Sequence, residues 1–432
     1  MRTTICFTVA DVQGFKDALL EWSRQYHEVA WLDSNGHKSS YSSFDALLAV
    51  DGLTGISTDA QHGFKDLSEF QSQANDWIFG YLSYDLKNDV EYLSSKNYDG
   101  AEFPELYFFQ PKKIISMQGE KVEFCYLNMV ADEIETDFET VTKGTFRPEE
   151  VNASVGAVHI KMRIFKDEYF SKVNRMLSHI HKGDIYEANF CQEFYAENLQ
   201  IDAIRTYKKL NTISKPPFAT YVKLFDKHLL CASPERYLKK TGTKVISQPI
   251  KGTAPRSKHD EIDAQLISNL QTDEKERSEN IMIVDLVRND LSKSALKGSV
   301  VVEELCKVYS FDQVHQMIST ISATVPDDAD PIKLLKETFP MGSMTGAPKV
   351  SAMKIIEELE SFKRGLYSGA VGYFTPEGDF DFNVVIRSIL YNATNKYVSY
   401  AVGSAITAKS VPEKEYQECL LKAKAMRQVL EE

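Results

Sequence analysis

Two pairs of glutamates stand out as groups able to do chemistry. Glu276 and Glu279 lie in DEKERSENIMIVDLVRNDL, and Glu415 and Glu418 lie in VPEKEYQECLLKAKAMRQVL. Each pair is spaced i, i+3 on an expected helix, so its carboxylates share one face beside apolar neighbours such as Ile283 or Leu420. Two such faces brought together could hold a hard divalent cation. Magnesium suits them, because it takes oxygen ligands and keeps waters and substrate oxygens in its shell. A solvated acidic face would show the same spacing. In VISQPIKGTAPR, Lys251 sits beside Gly252 and Thr253, either as a surface charge on a turn or as an amine with a task. Glu235 in CASPERYL is an ion-pair partner for Arg236, or a general acid whose pKa is lifted by burial. Arg387 in FNVVIRSILY is a permanent charge among apolar neighbours and needs an anion, whether a structural carboxylate or a ligand. His315 in FDQVHQMIST is a core histidine or a catalyst. FPMGSMTGAPKVSAMKIIEEL sets Gly342, Ser343, Thr345 and Gly346 ahead of a helix, whose free amides favour an anion. Its GAPK spacing is not that of a P-loop, and a plain loop with an N-cap is the alternative.

The elements that must position these groups read as α+β. At 432 residues and 43% hydrophobic composition, the chain can bury one large core or two ordinary ones. A formal net charge of -12 with no basic block argues against nucleic acid or an anionic membrane as a large partner, while leaving small anionic substrates open. The six cysteines show no CxxC pair, which reads as free thiols in a reducing cytosol. No apolar run is long enough to span a bilayer, and the start carries no targeting pattern. Residues 1–150 read as a β-rich portion with helical inserts, RPEEVNASVGAVHI as a junction, and residues 160–432 as a second portion. From Phe165 the pattern turns helical and closes at the glycine of HKGD. Strands are expected at HEVAWLDS, DWIFGYLSYDL, FATYVKL, HLLCASPERYL, TKVISQPI, GAVGYFTP, FNVVIRSILY and YVSYAVGSAIT, and long helices over 273–288, 348–362 and 412–430.

Taken together and in order, GDIYEANFCQEF, ASPERYL, PIKGTAPR, KERSENIMIVDLVRNDL, GSMTGAPKVSAMKIIEELE, GAVGYF, VIRS and PEKEYQEC resemble the chorismate-utilising enzymes. That family includes anthranilate synthase component I, aminodeoxychorismate synthase component I and isochorismate synthase. The resemblance covers residues 160–430 strongly, with WLDSN and FGYLSYDLKNDVE as fainter counterparts in the amino-terminal portion. It implies one intertwined α+β unit of two large stacked antiparallel sheets with helices outside. It also implies a substrate, chorismate, with two carboxylates and a ring hydroxyl at C4. By resemblance, Glu276, Glu279, Glu415 and Glu418 surround a Mg²⁺ that bridges to the ring carboxylate. Arg387 and Tyr373 hold the enolpyruvyl carboxylate with amides near Gly403 and Ser404, Glu235 protonates the departing hydroxyl, and His315 and Thr345 line the ring site.

Within the resemblance, Lys251 selects the product. Members that make anthranilate or isochorismate carry a small residue at this position, and members that make 4-amino-4-deoxychorismate carry PIKGT, as here with Gly252 and Thr253. An amine partly desolvated beside a cationic metal site is expected to have a lowered pKa and to be available as a nucleophile. Isochorismate and salicylate enzymes place a water-activating lysine where Glu187 stands, which disfavours water addition. Ala254 and Ala405 depart from the commoner PIKGTRPR and IGAGIV patterns. The expected reaction is therefore amination of chorismate on the route to p-aminobenzoate, with ammonia from a separate glutamine amidotransferase subunit, since no GxCxG nucleophile elbow is present and Cys191 sits in NFCQEF. The alternatives are the anthranilate branch, a magnesium-dependent nucleotide enzyme built on GSMTGAPK, and a catalytically silent homologue.

Overall fold

Alternation along the strands decides the architecture. In the strand Glu28–Asp33, Val29 and Trp31 enter one apolar core while Ala30 enters another. The strands Ala46–Thr58, Phe218–Leu224, Lys227–Ser233, Ser388–Asn392 and Tyr397–Thr407 divide their side chains in the same way. Leu48, Tyr221, Leu230, Ile389 and Tyr400 face a core closed by the helices Val12–Trp22, Lys166–Lys182, Ala203–Ser214 and Pro412–Glu431. Leu47, Val222, Cys231, Leu390 and Ala401 face the second core. The strands Ile78–Leu82, Ala370–Phe374 and Phe380–Val384 feed only that second core, which therefore fills the space between two antiparallel layers. Period-two alternation with both faces covered is what such stacking requires. The α+β expectation holds.

The computed structural model describes residues 1–37, 41–145, 158–312 and 314–432; most of the expected junction near 150 lies outside them. The stretches on either side of it share their sheets. Glu28–Asp33 pairs with Phe218–Leu224, and Ile78–Leu82 pairs with Ala370–Phe374. The expected helices run Lys166–Lys182, Glu274–Ser292, Lys349–Leu359 and Pro412–Glu431. The first stops where Gly183 adopts φ +86°, a left-handed cap that glycine takes without a Cβ penalty. Among the described residues, no helix is long and apolar enough to cross a membrane.

Three interruptions of regular structure place charged side chains. HLLCASPERYL is two strands, Lys227–Ser233 and Arg236–Thr241, and Glu235 sits in the break. FNVVIRSILY likewise splits between Phe380–Val384 and Ser388–Asn392, and Arg387 in the gap has φ +53°. The third is a bulge. In the strand Ile250–Pro255, Ile250 faces Ile318 and Thr253 faces Gln316, so one extra residue is accommodated around Lys251 and Gly252. Bulges of this kind re-aim a side chain.

One buried ion pair ties the strand Glu187–Ala196 to the loop before the helix Lys349–Leu359. Arg364 donates to both Glu360 oxygens at 2.9 and 2.6 Å, to the Met344 carbonyl at 2.7 Å and to the Asn189 carbonyl at 2.8 Å. Glu360 in turn accepts from the Cys191 amide at 2.9 Å. Removing one partner of such a pair leaves a buried charge uncompensated, at about 3–5 kcal/mol. Arg364→Met should therefore lower the urea midpoint by a corresponding amount, and a midpoint equal to wild type would show that this pair does not hold the strand and loop together.

Candidate active site

The site assembles around Lys251. Its bulge points the ammonium at Glu187, with Nζ 3.2 Å from Oε1. Gly252 takes φ +90°, a conformation that favours glycine, and a Cβ there would crowd Glu276 Oε2 at 3.2 Å and Leu270 at 3.1 Å. Glu187, Glu279 and Glu235 all act on the Lys251 charge. Burial alone would lower the pKa of the amine, but these carboxylates outweigh it and hold the pKa above the ordinary lysine value. In the metal-free site this is the reverse of the lowered pKa expected beside a bound cation, and Lys251 is one of the cations among the glutamates.

Glu235 is 4% exposed. Its neighbour Arg236 pairs with Asp381 at 2.9 Å, so the ion-pair reading of ASPERYL does not hold. Burial raises Glu235 to about pKa 7, against the opposing pull of a hydrogen bond from Ser343 and the charge of Lys251. A carboxylic acid still half-protonated near neutrality can give up a proton there.

Glu276 and Glu279 stand on the helix Glu274–Ser292, whose first turn is capped by the Asp273 side chain accepting from the Glu276 amide at 2.9 Å. Glu415 and Glu418 stand on Pro412–Glu431. Burial raises Glu276, and raises Glu279 to about 7. Glu418 is lowered: burial pushes it up, but Lys422, 2.6 Å away, pulls it down further. Among the described residues, no three acidic, histidine or cysteine groups close into a ready-made metal cage. Even so, the buried oxygen Glu415 Oε2 makes no hydrogen bond, and Glu279 Oε1 has none either, only the Lys275 ammonium 3.7 Å away; hard carboxylate oxygens left this open are what an oxygen-seeking divalent cation binds. By its chemistry the donor set fits Mg²⁺.

Arg387 completes the ring of charges. It makes no ion pair among the described residues; burial lowers its pKa, and Tyr367 and Glu418 are the groups acting against that. A half-buried guanidinium without a carboxylate partner is a site for an anion. Sequence reasoning missed Tyr367, which nothing but its place two residues before the GAVGYF strand could have flagged. It also missed Lys422, which donates to the Gly403 carbonyl at 2.8 Å.

Several expected residues lie elsewhere. Tyr373 packs against Phe44, Trp77 and Phe79 with ring centroids 6.2, 5.4 and 5.7 Å away, around a separate cavity with Ser43 and Asp381. His315 has both ring nitrogens engaged, one with Ser310 at 2.8 Å and one with Asp263 at 2.9 Å, which ties it to the helix Asp260–Thr272. Thr253 is exposed. Ser404 turns to Tyr169 and Cys419 beneath the helix Pro412–Glu431. Thr345 is buried, with its hydroxyl donating back to the Met341 and Gly342 carbonyls at 3.3 Å and its own carbonyl accepting from the Asn189 amide at 2.8 Å. The GSMTG glycines serve close approach: a Cβ on Gly346 would fall 2.2 Å from the Glu187 carbonyl.

The profile of the family described as chorismate binding enzyme matches residues 27–428. This chain belongs to that family. It is 31% identical over 453 residues to aminodeoxychorismate synthase component 1 of Bacillus subtilis, an alignment covering 95% of this chain and 93% of that protein. It is 41% identical over 285 residues to the probable chloroplastic aminodeoxychorismate synthase of Oryza sativa, covering 65% of this chain but only 32% of that longer protein. The crystal structure of anthranilate synthase component I from Streptococcus pneumoniae matches with a TM-score of 0.77 and 25% identity, covering 90% of this chain and 94% of that one. The protein is a chorismate-utilising enzyme, and its anion-ready arginine and acid–amine pair fit a dicarboxylate substrate.

The raised carboxylates have a pH signature. An acid whose folded pKa lies above its unfolded value supports folding at low pH and loses that contribution as pH rises through the folded value. For Glu235 the window runs from about 4.5 to about 7. The metal-free enzyme should lose stability across it, and Glu235→Gln should lose less. Denaturant midpoints measured at several pH values would test this; identical slopes in the two proteins would mean that Glu235 is already ionised throughout.

Proposed function

We propose that this enzyme aminates chorismate at C4 with ammonia, giving 4-amino-4-deoxychorismate, as an aminodeoxychorismate synthase component I on the route to p-aminobenzoate and folate. The observation that carries this reading is the buried Lys251 amine, aimed by its bulge between Glu187 and the acid Glu235. The names of the Bacillus and rice relatives support it.

Chorismate would bind with its enolpyruvyl carboxylate on Arg387, beside Tyr367. A Mg²⁺ held by Glu276, Glu279, Glu415 and Glu418 would neutralise the ring carboxylate. Lys251 first passes its proton to Glu187, the carboxylate it already touches. The neutral amine then forms a bond to C2 as both ring double bonds shift by one position and the C4–oxygen bond breaks. Glu235 supplies the proton that lets the hydroxyl leave as water. Ammonia next bonds to C4, both double bonds shift back, and the C2–nitrogen bond breaks to return the lysine amine. The ammonia would come from a separate glutamine amidotransferase subunit. Cys191 is fully buried, with its thiol pKa pushed up by burial, which makes it a poor glutaminase nucleophile.

Incubating the chain with chorismate, Mg²⁺ and ammonium, then separating the products with mass detection, should yield a product with an amine in place of the hydroxyl and the enolpyruvyl group retained. Anthranilate with pyruvate would instead place the enzyme in the anthranilate branch. Replacing Lys251 with alanine should abolish amination by at least about a hundredfold, within the range of a lost catalytic group, with no rescue by added ammonium; unchanged turnover would remove the lysine from the chemistry.

A further inference from the structure

The two glutamate pairs are not left facing each other. Lys275, the second residue of the helix Glu274–Ser292, reaches between them. Its Nζ donates to Glu415 Oε1 at 3.4 Å and stands 3.7 Å from Glu279 Oε1. Glu276 and Glu418 also lie close enough to act on the same ammonium. Its side chain is 39% exposed, so the flexible stem has open solvent beside it. The other two lysines of the site are held differently. Lys251 is 13% exposed and bound to Glu187, and Lys422 is bound to Glu418 and the Gly403 carbonyl on its own side. Lys275 alone of the three bridges the two helices that carry the glutamates, at their first turns.

We propose that Lys275 is a tethered cation that holds the two glutamate pairs together in the metal-free enzyme and must swing into solvent before a divalent cation can enter. The inference rests on the assignment of these four glutamates to Mg²⁺. An ammonium and a divalent ion within a few ångströms repel strongly in a partly desolvated site, so the two occupants exclude one another. The lysine then has two effects. It stabilises the closely spaced carboxylates when no ion is bound, and it weakens the apparent affinity for Mg²⁺ by the free energy needed to displace it. The enzyme gains a site that stays folded without its ion and exchanges the ion readily.

The test is direct Mg²⁺ binding to the intact protein, without substrate, by isothermal titration calorimetry. Lys275→Met should bind Mg²⁺ at least about tenfold more tightly than wild type, a change of about 1.4 kcal/mol, while Lys275→Arg, which keeps the charge, should stay near wild type. Metal-free Lys275→Met should also melt below wild type and gain more on Mg²⁺ addition. If that variant does not fold without the ion, its denaturation midpoints across a Mg²⁺ series give the same affinity through linkage. Equal or weaker binding by Lys275→Met would overturn the inference while leaving the metal site standing. Absence of Mg²⁺ binding in all three proteins would remove the metal assignment itself, and this inference with it.

Discussion

Carboxylates gathered in a partly desolvated pocket repel one another and lose hydration, so they persist together only where cations are placed among them. Glu187, Glu235, Glu276, Glu279, Glu415 and Glu418 are balanced here by Lys251, Lys275 and Lys422, each from a different segment of the chain. Much of the rest of the site depends on that balance. Lys251 stays charged because of its neighbours, Glu235 and Glu279 remain partly protonated because burial outweighs their cations, and Arg387 is left with no carboxylate of its own among the described residues.

The scaffold provides the charges with fixed positions by interrupting regular structure at chosen points. Glu235 and Arg387 sit in breaks between paired strands, and Lys251 sits on a bulge made possible by Gly252. The strand that supplies Glu187 is locked to the GSMTG loop by the Arg364–Glu360 pair and by a glycine that lets the two backbones touch. Such irregular backbone is costly in isolation and persists because two apolar cores hold the flanking strands.

Much of this was legible in the chain. Strand alternation and helix periodicity located most of the elements, including FATYVKL to the residue, because the cores on both sheet faces enforce a strict period. The ExxE pairs, Lys251, Glu235 and Arg387 were identifiable because charged groups in apolar or turn-rich surroundings need a reason to be there. Tyr373 and Ser404 were misplaced for a different cause. Each lies on a correctly expected strand, but which face of that strand meets the substrate depends on how the two layers stack, and a one-residue step sends a side chain to the opposite side. Tyr367, which acts on Arg387, lies in the turn before the GAVGYF strand, where no periodicity could flag it.

By itself, then, the sequence determined the α+β class, the elements, the family and the groups able to bind an anion and exchange a proton. All of these come from local periodicity and from residue chemistry. Only the tertiary structure decided which of those groups meet, that His315 is spent on Asp263 and Ser310, and that the lysine at the centre is held charged by its neighbours. Charge state and partnership depend on distances between segments far apart in the chain, and those distances are set by how the sheets and helices pack.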